Sequence, residues 1–175
     1  DSERTVIVVL GPTGQLGAAF LRLVEEARGL DRSEFDLAHL DRAGFSQMLE
    51  DLGPRMVVNC AAYTAVDRAE TEEQLATAVN GYAVGTMARA CAERGIPFVT
   101  YSTDYVFDGL GSVPYTEQDA CRPQSVYGRS KLAGEQGIAA WVAAHGQPLL
   151  VPDVTSEPRY VWMEGSGTRS ELALP

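Results

Sequence analysis

A glycine-rich turn near the start of the chain constrains its fold more than any other feature. Val6-Ile7-Val8-Val9-Leu10 is an unbroken, mostly β-branched apolar run. Such a run suits a strand buried on both faces, as in a parallel sheet. Gly11-Pro12-Thr13-Gly14-Gln15-Leu16-Gly17 follows at once. A helical pattern then opens on Leu16, Phe20, Leu23, Val24 and Ala27, with Gly29 as its expected stop. Strand, glycine turn and helix in this order present free backbone N–H groups, at the positive end of a helix dipole, to an anion. Glycines let the backbone turn tightly and let a pyrophosphate come close. The spacing by itself is common; its place between a buried strand and a helix is what points to a dinucleotide.

The alternation continues along the chain. Leu30-Asp31-Arg32 reads as a short second strand, Phe35-Asp36-Leu37 as a turn, and Arg42 to Leu52 as a helix stopped by Gly53-Pro54. Met56 to Ala62 reads as another buried strand. Leu75, Val79, Tyr82, Thr86 and Ala90 mark one face of a long helix closed by Gly95. Pro97 to Thr103 reads as strand, and Ser125 to Ala144 as a helix with Gly146 as its stop. Strands alternating with helices imply an α/β fold: a Rossmann-type, doubly wound parallel sheet in three layers. Residues 1–146 are expected to form that domain. From Gln147 onward, prolines at 148, 152, 158 and 175 break any long periodicity. Leu149-Leu150-Val151 offers one more strand; residues 147–175 otherwise read as an irregular tail.

Charge narrows the partners. Among 175 residues, 14 are basic and 24 acidic, a net charge of −10. With no Lys/Arg run, neither a nucleic acid polymer nor a membrane surface is an expected partner. No apolar run approaches the ~20 residues that span a bilayer. Asp1-Ser2-Glu3-Arg4 lacks the cationic start of a signal peptide. Cys60, Cys91 and Cys121 are odd in number and contain no CxxC, so the expectation is buried free thiols in a cytoplasmic protein. His39 and His145 are expected at the surface, and no metal-ligand spacing stands out.

A second constellation carries chemistry. In Tyr127-Gly128-Arg129-Ser130-Lys131 the tyrosine and lysine are four apart, so on a helix they share a face. Lys131 is the only lysine in the chain. A phenol with a pKa of about 10 is a poor proton shuttle at neutral pH. A neighbouring ammonium is expected to lower it and make a usable general acid for a carbonyl being reduced. Thr103, in Ser102-Thr103-Asp104, stands at the end of a strand, where open α/β sheets bind ligands. Its hydroxyl is placed to hydrogen-bond a substrate carbonyl and to orient Tyr127.

With these motifs in hand, the sequence resembles the dTDP-4-dehydrorhamnose reductase family of extended short-chain dehydrogenase/reductases over about residues 5–145. The likeness rests on the glycine turn and on three longer motifs: Val58 to Glu70, Ser102 to Gly109, and Tyr127 to Glu135. The resemblance implies NADPH- or NADH-dependent reduction of the C4 ketone of dTDP-4-dehydro-L-rhamnose, the last step toward an activated sugar for surface polysaccharides. It implies catalytic roles for Thr103, Tyr127 and Lys131, with Lys131 also holding the nicotinamide ribose. Gly11, Gly14, Gln15, Leu16 and Gly17 would hold the pyrophosphate. Asp36 and Leu37 would lie beside the adenine, and Ala61, Ala62 and Tyr63 would line the cofactor. Asp104 and Tyr105 would lie near the sugar nucleotide. Asn80 falls where the superfamily often places a structural or proton-relaying asparagine. Family members form homodimers and can carry Mg²⁺ at the contact, a property implied here by resemblance alone.

Cofactor choice is left open by the residues. An acidic group after the second strand favours NAD and an arginine favours NADP; Asp31 and Arg32 stand side by side. Beyond residue 145 the family's further strand and its smaller sugar-binding domain are not recognisable, so the expectation is a chain cut short, or changing frame near Gly146. A non-catalytic NAD(P)-binding regulatory module, or a reductase or epimerase acting on another sugar nucleotide, is an alternative reading.

Overall fold

A computed structural model describes residues 6–116 and 118–145. The expected strand at Leu149–Val151 and the tail from Gln147 lie outside the described residues, as does the side chain of His145. Among the described residues there are four strands: β1 (Ile7–Leu10), β2 (Ala27–Leu30), β3 (Met56–Asn59) and β4 (Phe98–Thr100). They pair in parallel in the order β2-β1-β3-β4. β1 is buried along its whole length, as its unbroken apolar run requires.

The strands still alternate. Val8, Leu10, Val57 and Phe98 point into one core with Phe45, Leu49 and Met87. Ile7, Val9, Val58 and Val99 point to the other face, against Phe20, Leu21 and Val24. Helix α1 (Gln15–Leu23) covers that second face. On the first lie α2 (Arg42–Leu52) and a long helical rod made of α4 (Glu73–Thr77), a π-helical turn (Ala78–Tyr82) and α5 (Ala83–Ala92). A short helix α3 (Val66–Ala69) precedes the rod. Helix α6 (Val126–His145) packs against α3 and all three parts of the rod. This is the expected doubly wound arrangement. Helix α2 begins on Asp41, whose carboxylate accepts the N–H of Ala43 and Gly44. It ends on Gly53 at φ +51°, the left-handed position that glycine reaches without strain.

Three expectations need correction. The second strand is Ala27–Leu30, not Leu30–Arg32, and Gly29 lies inside it rather than at a helix end. A Cβ at Gly29 would stand 2.6 Å from Cβ of Pro12, so the glycine lets the strand pass the turn. One residue of the expected long-helix face is out of place: Tyr82 is 75% exposed, whereas Ala90 is buried and Val79 packs against the core as expected, with Asn80, Val84, Met87 and Cys91 buried beside them. The π turn adds a residue to the rod and shifts its phase between Val79 and Ala83. The cysteines differ as well. Cys91 is buried, Cys60 is half-buried and Cys121 is exposed.

The crossing of α6 over the rod is close because its contact residues are small. A Cβ at Gly134 would lie 2.3 Å from the backbone oxygen of Asn80, and one at Gly85 would lie 3.5 Å from Cα of Gly137. Overfilling such a contact costs about 1–3 kcal/mol. Gly134→Ala is therefore expected to lower unfolding stability by about that amount in urea, because the clash is with backbone and no side chain can move aside.

Candidate active site

The glycine turn begins where β1 ends. Gly11 takes φ +76°, and its N–H donates to the Leu30 carbonyl at 3.3 Å, which holds the turn against β2. A Cβ at Gly11 would lie 2.8 Å from the Ala61 nitrogen, and one at Gly17 would lie 2.2 Å from the Gly11 oxygen. These two glycines bring turn, helix and β3 end together. Gly14 differs: a Cβ there would meet only the Gly11 oxygen, at 3.5 Å. It starts α1 without a side-chain cap, and the first turn holds no acidic residue. The first N–H groups of the helix therefore open onto a cleft of about 580 Å³ lined by Thr13, Gly14, Gln15, Cys60, Ala61, Ala62 and Thr64. A positive helix end, glycine at its mouth and an apolar opposite wall fit a dinucleotide pyrophosphate.

Four of the expected cofactor residues, Gly14, Gln15, Ala61 and Ala62, line this cleft; Thr13, Cys60 and Thr64 join them. Leu16 is 38% exposed on α1, and Leu37 is buried in the core. Asp31 and Asp36 build the turn after β2. Oδ1 of Asp31 accepts the N–H and hydroxyl of Ser33, at 2.7 and 2.6 Å, and these bonds hold its carboxyl below the usual range. Asp36 accepts from Ala38, contacts His39 at 3.0 Å and pairs with Nε of Arg32 at 3.3 Å.

The β3 end is fixed by two asparagines. Asn59 Oδ1 accepts the Ala61 N–H at 3.1 Å, and its amide donates to the Thr100 hydroxyl at 3.3 Å. Asn80, 2% exposed on the π turn, reaches across to Tyr63. Its Oδ1 accepts the Tyr63 N–H at 2.8 Å; its Nδ2 donates to the Tyr63 carbonyl at 3.0 Å and to the Ser130 hydroxyl at 2.9 Å. Ser130 in turn donates to the Tyr127 carbonyl at 2.7 Å. The Tyr63 phenol donates to Glu72 at 2.6 Å. A third long-range contact starts α6: Oε1 of Glu70 accepts the Val126 N–H at 2.8 Å. The sequence motif contains Glu70, but its partner stands 56 positions away and no local pattern marks it.

Thr103, Tyr127 and Lys131 come together beyond the carboxyl end of β4. Thr103 caps a 3-10 turn at Asp104–Val106 and donates to Asp104 at 3.2 Å. Tyr105 and Tyr127 meet edge to face, with ring centroids 5.5 Å apart. A Cβ at Gly128 would lie 2.2 Å from the Tyr105 oxygen, so that glycine lets α6 start here. Lys131, 9% exposed, donates from Nζ to the Tyr101 carbonyl at 2.5 Å.

The shared face of Tyr127 and Lys131 is as expected, but its electrostatic consequence is not. Burial pushes the Tyr127 phenol up, only partly opposed by its hydrogen bond with Thr103, and Asp104 and Tyr105 push it further. The lysine ammonium is engaged with Tyr101 rather than with the phenol. Burial lowers Lys131, against the pull of Glu135. Among the described residues no group of three or more His, Cys, Asp or Glu is placed to hold a metal ion, and no helix is long and apolar enough to cross a membrane.

Two titrations check this arrangement. The difference in ultraviolet absorbance between the chain and Tyr127→Phe is expected to show a phenol ionising above its ordinary 10.0. The folded chain then holds a proton that the unfolded chain loses. That stabilisation is complete below about pH 10 and fades as pH rises through the folded midpoint. Burial pushes the Cys60 and Cys91 thiols up to about 12. A thiol reagent at about pH 8 is expected to modify Cys121 rapidly, Cys60 in the cleft wall slowly and Cys91 only on unfolding.

Comparison with known proteins places the chain. Residues 5–147 match the family model described as the RmlD substrate binding domain. A dTDP-4-dehydrorhamnose reductase of Burkholderia thailandensis is 46% identical over 136 residues, covering 76% of this chain and 45% of that protein. The crystal structure of such a reductase from Clostridium acetobutylicum superposes with a TM-score of 0.73 at 35% identity, over 78% of this chain and 49% of that one. The Bacillus anthracis reductase, solved in complex with NADP, gives a TM-score of 0.73 at 32% identity, over 80% and 51%. The chain spans about half the length of the relatives it matches. On its sequence motifs, its sheet order and these matches, it belongs to the dTDP-4-dehydrorhamnose reductase family.

Proposed function

We propose that this chain binds NADPH or NADH in the cleft at the glycine turn and serves the reduction of the C4 ketone of dTDP-4-dehydro-L-rhamnose. The observation that carries the reading is the meeting of Thr103, Tyr127 and Lys131 beyond β4, tied through Ser130 and Asn80 to the Tyr63 end of the cleft wall. In this reading the amides of the first turn of α1 hold the pyrophosphate, with Gly14 leaving it room. Bound there, the nicotinamide supplies a hydride.

The chain's own groups do the rest. Thr103 donates to the ketone oxygen and orients Tyr127. Tyr127, kept protonated by its surroundings, gives its proton to that oxygen as it becomes an alkoxide. Lys131, whose ammonium is held by the Tyr101 carbonyl beside this pair, is the group that would take a ribose hydroxyl of the cofactor. Asp104 and Tyr105, exposed beside this trio, contact the sugar nucleotide. The name and bound NADP of the Bacillus anthracis relative support the cofactor class and the substrate class.

Equilibrium titration of the purified chain with NADPH, and in parallel with NADH, is expected to give saturable one-to-one binding. A folded, monodisperse chain that binds neither would overturn the reading. Gly14→Asp sharpens the test. Aspartate is a good helix N-cap and its Cβ has space, so the fold is expected to persist. Its carboxylate would occupy the pyrophosphate position and weaken binding about tenfold or more. Where the sugar nucleotide is turned over, Tyr127→Phe is expected to slow it by about 10²–10⁴-fold with cofactor affinity nearly unchanged.

A further inference from the structure

Helix α6 presents three side chains at successive i,i+4 positions: Tyr127, Lys131 and Glu135. Such positions form one stripe along a helix. Opposite them runs the segment after β4. Each side chain of the stripe meets a different residue of that segment. Tyr127 meets Thr103, Lys131 meets the Tyr101 carbonyl, and Glu135 accepts a hydrogen bond from the Ser102 hydroxyl. Two of these three helix positions carry the chemistry proposed above. The third has been given no role.

We infer that Glu135 is a positioning residue: its carboxylate is the counter-charge of the buried Lys131 ammonium and the clamp that holds Ser102, and with it Thr103, in register with Tyr127. The physical need is plain. An ammonium that is nine-tenths buried loses its hydration, and one carbonyl returns only part of it. A carboxylate one helical turn away favours the charged form, and its hydrogen bond to Ser102 fixes the distance between α6 and the segment carrying Thr103.

Other charges near α6 are engaged elsewhere. Glu70, beside α3, accepts from Val126, and Glu72, before α4, holds Tyr63 and Arg68. On the segment after β4, Asp104 and Tyr105 act on Tyr127, while Glu135 is the charge acting on Lys131. The catalytic meaning of this clamp rests on the function proposed above; its test reads the lysine itself, so clamp and function can fail separately.

Because Lys131 is the only lysine, isotope-labelled lysine gives one side-chain NMR signal that needs no assignment. Its titration is followed in the wild type, in Glu135→Gln and in Ser102→Ala. Glu135→Gln keeps an acceptor for Ser102 and removes the charge. It is expected to lower the Lys131 midpoint by about one unit, whereas Ser102→Ala leaves it within a few tenths. A midpoint equal in wild type and Glu135→Gln overturns the inference. If Glu135→Gln does not fold, the wild type decides: the lysine signal is expected to step in the acidic range as Glu135 takes up its proton, and a flat signal there overturns it. Loss of NAD(P)H binding in a wild type that shows the lysine behaviour would count against the proposed function and leave the clamp standing.

Discussion

The arrangement depends on how closely α6 crosses the rod formed by α4, the π turn and α5. At the crossing, Asn80 turns its backbone oxygen to Gly134 and its side chain to Ser130 and Tyr63. A bulkier residue at position 134 would push the helix out; an apolar residue at 80 would leave the Tyr63 amide, the Tyr63 carbonyl and the Ser130 hydroxyl without their partner. A buried polar group that satisfies three others is costly to lose, because each orphaned group carries a desolvation penalty of about 1–3 kcal/mol. One side chain therefore sets two distances together: that between α6 and the rod, and that between α6 and the β3 end of the cleft.

The π turn explains how one asparagine reaches both. Its wider helical turn lies at Ala78–Tyr82, with Asn80 at its centre. Such turns recur where a side chain has to leave the regular helical pattern. The same turn puts Tyr82 into solvent, while Val84, Met87, Ala88, Ala90 and Cys91 form the buried face of α5. The geometry that serves the site thus also decides which residues form the core behind it.

The legibility of the sequence follows from the range of the interaction that decides each element. The glycine turn, α2 and α6 were readable because local signals fix them: a buried apolar run, a Gly53-Pro54 stop, and Tyr127 and Lys131 at helical spacing. The second strand was misplaced because Gly29 answers to Pro12, which is remote in sequence, and looks locally like a helix stop. The exposure of Tyr82 on the long helix was missed because a π turn leaves no mark in an apolar pattern. Asn80, Glu70 and Glu135 stand inside recognisable stretches, but their partners lie 17 to 56 positions away.

The relation between Tyr127 and Lys131 shows the difference between spacing and chemistry. Spacing correctly places both on one face of a helix. It does not say what else competes for the ammonium, and here the Tyr101 carbonyl holds it. The phenol is instead governed by burial and by the anionic side of its neighbours, which keep its proton on. In the proposed reaction that state suits a neutral acid that keeps its proton until an oxygen beside it turns strongly basic. A phenol lowered toward neutrality would lose the proton too early for part of the population. The site accordingly favours proton retention, and in the proposed reaction release would follow the charge formed on the substrate oxygen rather than a lysine already in contact.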